Sequence, residues 1–60
     1  MAGREKFFKV YANLPLNLRE EVILVVGDEP VTWKIAYLEI SDDTPLGRQI
    51  LEKLEALELI

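Results

Sequence analysis

The chain has 60 residues, half of them apolar and 30% charged, with eleven Asp or Glu against seven Lys or Arg, a formal net charge of -4, and neither Cys nor His. Without Cys there is no disulfide framework, thiolate metal site or cysteine nucleophile. Without His, the usual zinc ligand sets, the usual base near neutral pH and every Ser-His or Cys-His arrangement are excluded as well.

Phe7, Val10, Tyr11 and Leu14 recur at i, i+3, i+4 and i+7. This stripe predicts an amphipathic helix over about residues 3–13, closed by Pro15, which disfavours helical geometry at Leu14. Phe8 lies off the stripe, so it either widens the core edge or meets a second chain. Asn17 followed by Glu20 has the spacing of a capping box and predicts a single helical turn. Val22-Ile23-Leu24-Val25-Val26 then reads as a strand, since four of its five residues are β-branched. Alternation would place Ile23 and Val25 on one face and Val22, Leu24 and Val26 on the other, so the strand is apolar on both sides. Gly27-Asp28-Glu29-Pro30 is expected to turn the chain.

Residues 31–40 carry two periodicities. Val31, Trp33, Ile35 and Tyr37 alternate as in a return strand, while Trp33, Ala36, Tyr37 and Ile40 recur at helical spacing with Thr32 as N-cap. A strand continued past Tyr37 would turn Leu38 and Ile40 to its polar face. A short bridge at Val31 followed by a helix over 33–41 is therefore preferred. Asp42-Asp43-Thr44-Pro45 then supplies capping residues and an N1 proline for a last helix, with Leu46, Ile50, Leu54 and Leu57 as its stripe and Leu51 widening it. Arg48 and Glu52 form an i,i+4 pair, and Gly47 falls in the first turn, where its helix cost is smallest.

The sequence favours no catalytic centre. The adjacent carboxylates Asp28-Glu29 and Asp42-Asp43 lack the further oxygen ligands of a calcium loop, so turn formation and capping account for them, and neither metal nor cofactor is expected. Ser41, Thr32 and Thr44 have no base to activate them. The longest apolar run, Val22 to Val26, is far short of the roughly 20 residues that span a bilayer. No apolar stretch of the secretory kind follows the basic N-terminal residues, so a cytoplasmic location without membrane contact is expected.

Size points to association. A chain of about 60 residues buries only about 60% of its unfolded surface and is marginal alone. Lacking staples, it relies on tight packing or on another chain, and its ten Leu, five Ile and five Val serve either route. Scarce Gln, Asn and Met beside many charged residues is a balance reported for thermophile proteins. Residues 1–17 hold three basic residues and one acidic; residues 18–60 hold four basic and ten acidic. Such an acidic surface favours a basic protein partner.

These readings combine into an α+β domain ordered helix, strand or short hairpin, helix, helix, completed as a homodimer. The expected function is a small non-catalytic regulatory or adaptor module acting through protein-protein contact. Its candidate interface comprises Phe8, Val22, Ile23, Leu24, Val25, Val26 and Trp33. Residues 33–60 also read as helix, the four-residue break Ser41-Asp42-Asp43-Thr44, then helix. That order resembles the second half of a helix-turn-helix or winged-helix DNA-binding unit, in which the N-terminal residues of the second helix face base edges, and the resemblance implies Thr44, Arg48 and Gln49 as the contacts. DNA affinity rests on cationic contacts to phosphate, whereas Glu52, Glu55 and Glu58 make this helix acidic, so nucleic acid is the alternative.

Overall fold

The computed structural model describes residues 2–60. The apolar stripe around Phe7 forms helix α1, Ala2–Ala12, with Phe7 fully buried and Val10 and Tyr11 half-buried on the same face. It stops one residue earlier than expected. The Asn13 side-chain amide donates to the Lys9 carbonyl at 2.9 Å, closing the last turn two residues before Pro15.

The capping box at Asn17 does not form. Instead Leu16–Leu18 make one 3-10 turn with Pro15 ahead of it, and no side chain caps it. The Pro15 carbonyl accepts from Leu18 N and the Leu16 carbonyl from Arg19 N, so the turn closes on backbone bonds and leaves Asn17 exposed. Two further backbone bonds, Trp33 N to the Glu21 carbonyl (3.3 Å) and Lys34 N to the Arg19 carbonyl (2.9 Å), fix this segment to the start of the next helix.

Strand β1, Val22–Val26, has the expected bounds and pairs antiparallel with β2, Glu29–Thr32, in a two-stranded sheet. The turn between them has two residues, not four. Gly27 takes φ +62 while Asp28 keeps negative φ, which matches a type II′ turn and its preference for Gly at the first central position. Glu29 and Pro30 therefore belong to β2, facing Val26 and Val25. The return strand is thus longer than a bridge at Val31, yet it stops at Thr32, whose side chain accepts from Ile35 N at 3.1 Å and caps helix α2, Trp33–Ser41. One threonine ends the strand and begins the helix.

Helix α3, Pro45–Ala56, starts where expected, with Pro45 in its first turn and the Thr44 hydroxyl accepting from Gly47 N at 2.9 Å. Both α2 and α3 end in Schellman motifs. Asp43 N bonds the Ile40 carbonyl and Thr44 N that of Glu39; Glu58 N bonds the Glu55 carbonyl and Leu59 N that of Leu54. The residues at the left-handed positions are acidic rather than glycine, Asp43 at φ 53 and Glu58 at φ 58. Leu57 therefore lies past the helix, 60% exposed, and its place on the expected stripe is corrected: the buried stripe is Gly47, Ile50, Leu51 and Leu54.

The core joins Phe7 from α1, Val31 from β2, Ala36 and Ile40 from α2, and Ile50, Leu51 and Leu54 from α3. Among the described residues the α+β architecture is thus three α-helices packed with one hairpin. Its radius of gyration, 10.3 Å, matches the about 10 Å expected for this length, and its 4197 Å² of accessible surface is close to the roughly 4000 Å² expected for its mass. Its exposed apolar residues are thus surface of a fully condensed chain. No helix among the described residues is long and apolar enough to cross a membrane.

Candidate functional site

The chain's five aromatic residues form one cluster between α1 and α2. Phe7 stacks with Tyr11 and with Trp33 (centroids 6.1 and 6.0 Å) and meets Phe8 edge-on at 5.6 Å. Tyr37 stacks on Tyr11 at 4.4 Å and receives Phe8 edge-on at 5.7 Å. Arg4 lies over Phe8 and Arg19 over Tyr11, at 5.6 and 4.5 Å, adding cation-π attraction at two points of the cluster. Phe8 is therefore a widened core edge, and the rings of Phe8 and Trp33 are engaged within the domain. Arg19 also donates to the Tyr11 carbonyl at 3.3 Å, while its Nε is buried without a hydrogen-bond partner.

The hairpin presents the open apolar surface. Its two faces differ from simple alternation because the register shifts between Val22 and Leu24, a β-bulge at Ile23. A bulge turns two successive residues toward one side. Ile23 and Leu24 thus both pack against the core with Val26, while Val22 and Val25 stand outward, each 56% exposed. This corrects the expected division of faces. Cross-strand pairing sets Val22 opposite Thr32 and Val25 opposite Pro30, so the outer face carries no charged side chain. A two-stranded sheet has two outer edges, and no described backbone group outside the hairpin bonds to that of β1. Beside it an open groove of about 410 Å³ runs between β1 and the end of α3, lined by Ile23, Leu24, Val25, Lys53, Ala56 and Leu57. Leu57 was not legible as part of this surface, because only the Schellman bond from Leu59 N ends the helix before it.

The junction of α2 and α3 holds the residues expected of a nucleic-acid contact. The Thr44 hydroxyl caps α3 and donates to the Glu39 carboxylate, so it is committed within the fold. Arg48 makes a two-pronged ion pair with Asp43, 3.1 and 3.2 Å, in place of the expected pair with Glu52. The left-handed backbone at Asp43 accompanies this reversal. The Arg48 hydrogen bonds, then its charge, hold the Asp43 carboxyl below its ordinary range and raise the Arg48 guanidinium in turn. Gln49 is exposed. A second groove, about 430 Å³, opens beside this pair; Arg4 and Arg48 share its wall with Asp43, Glu52 and Glu55, so its charges are mixed.

The chain matches no protein-family model, and no curated protein or solved structure shows significant similarity to it.

Proposed function

We propose that this chain is a non-catalytic protein-protein interaction module, regulatory or adaptor in kind, that binds through its hairpin. The observation that carries the reading is the pair Val22 and Val25, each more than half exposed on a strand whose outer edge no described backbone group satisfies. Unpaired strand edges are templates for another chain, and apolar patches rimmed by polar residues mark contact surfaces. The double variant V22K/V25K is the test. It is expected to melt within a few degrees of wild type and to lose proteins that the wild-type chain retains from its source extract; identical retained sets overturn the reading.

A homodimer is the alternative form of this association, for which the uncharged outer face speaks. Sedimentation up to high micromolar concentration tests it, and a strictly monomeric species rejects it. DNA binding through α3 is the second reading. It is favoured by the tight turn between α2 and α3, in which Asp43 adopts the left-handed conformation that a glycine often supplies in such a motif. The pairing of Arg48 and the occupied Thr44 hydroxyl weigh against it. Unchanged DNA affinity in Arg48→Ala would remove that assignment of contacts.

A further inference from the structure

We infer that the partner docks as an added strand on the free edge of β1, and that the occupant is an extended segment of a different protein, apolar in the middle and basic at both ends. The inference rests on the interaction-module reading and names the partner's chemistry.

The two edges of the sheet differ. Along β2 lie Glu29, a charge, and Pro30, which has no N–H to offer, and both features blunt an edge against pairing. Along β1 there is neither proline nor charge, and beyond the bulge Leu24 to Val26 run regularly. Main-chain bonds to such an edge supply affinity in strand addition, and the surfaces under alternate side chains supply specificity. Here the groove beside β1 provides that surface, with exposed Leu57 in its wall.

Charge selects the occupant. Glu20 and Glu21 lead into β1, and Asp28 and Glu29 follow it; all four are exposed and none is in a salt bridge among the described residues. A second copy laid antiparallel on β1 brings Glu20 and Glu21 of one chain toward Asp28 and Glu29 of the other, and a parallel copy sets each acidic pair against its own kind. Both arrangements place acid against acid at each end. A segment with Lys or Arg at its ends reverses every one of these contacts, and Lys53 is the single base lining the groove.

The experiment selects a displayed library of random twelve-residue peptides on the full chain, then titrates synthetic forms of the winners into labelled protein. Expected are peptides with a Val, Ile or Thr-rich centre and basic ends, which shift the amides of Leu24 to Val26 and protect that of Val25, the one of the three whose N–H points away from β2. Their affinity should fall with added salt, and roughly two- to thirty-fold in the variant E20Q/E21Q, from two exposed charge contacts. Winners without basic ends, or winners that leave the β1 amides unmoved, overturn the inference. Self-association abolished by V22K/V25K, with no peptide selected, also overturns it; the second copy is then the occupant and the interaction-module reading stands. If no peptide is selected, the chain stays monomeric and V22K/V25K retains the wild-type set of proteins, both fail.

Discussion

Replacing Gly47 by Ala tests whether α3 meets α2 backbone to backbone. In an open helix interior the change would stabilise by about 0.8–1.0 kcal/mol, with a smaller gain in a first turn. Here an added Cβ would lie 2.6 Å from the Glu39 carbonyl carbon and 2.9 Å from Ile40 N, and nearer still to the Glu39 carbonyl oxygen. Those atoms are main chain near the end of α2 and have no rotamer to escape into. To restore ordinary contact α3 must withdraw by roughly 1 Å, enough to forfeit a quarter to a half of each dispersion contact across the joint. Overpacking of this kind costs about 1–3 kcal/mol, which outweighs the propensity gain, against a total near 3–9 kcal/mol for a chain of this length. At about 4–8 °C per kcal/mol the melting temperature should drop by roughly 5–20 °C in a circular-dichroism melt. Gly3→Ala is the control, because its Cβ would meet the carboxylate tip of Glu55, which can swing aside, so a change within about 0.5 kcal/mol is expected. A Gly47→Ala protein that melts at or above wild type would refute the close approach of the two helices.

Three other outcomes are expected. Thr44→Ala should cost about 1 kcal/mol by leaving Gly47 N without its cap, and Thr44→Ser should recover most of it; equal melts for the two would assign the loss to the methyl group instead. Glu58→Gly should stabilise by about 0.5–1 kcal/mol, since it relieves a left-handed residue and removes a negative charge from a helix C-terminus, and an unchanged or lower melt would contradict the strain. The Asp43 carboxyl should titrate below 3.8 by NMR and move up toward that value in Arg48→Gln. Because its folded value is the depressed one, its contribution is full above the unfolded value and is lost as pH falls through the folded one; a midpoint unmoved by Arg48→Gln would show that the ion pair does not persist.

Local signals carried most of the architecture. The β-branched run bounded β1, Thr32 and Thr44 announced the starts of α2 and α3, and Pro45 fixed the first turn of the last helix. What stayed hidden depends on partners distant in sequence or on backbone conformation. In residues 22–26 every side chain is apolar, so alternation held no information about which valines face outward, and the bulge at Ile23 decided it. Residues 31–40 satisfied two periodicities because Thr32 closes a strand and opens a helix within one position. Arg48 has an acid at i+4, yet the left-handed Asp43 holds a closer one at i-5. Asp28 and Glu29 read in the sequence only as turn residues and Glu20 only as part of a capping box; that acids border a free edge of β1 was not legible, since that needs the sheet to be two strands wide. Gly47 was visible as a glycine in a first turn, but its neighbour across the helix joint was not.

The cluster of rings between α1 and α2 gives the protein a built-in optical reporter. Trp33 is the single tryptophan and its indole lies on Phe7, so its emission responds to whether the N-terminal helix is seated. Far-UV ellipticity, by contrast, sums the backbones of α1, α2 and α3, which have 11, 9 and 12 residues. A thermal transition followed by both signals therefore compares the seating of α1 with the helix content of the described chain. Coincident curves would mark a single cooperative unit, and an earlier loss of fluorescence signal would mean that α1 leaves first while the α2 and α3 pair holds.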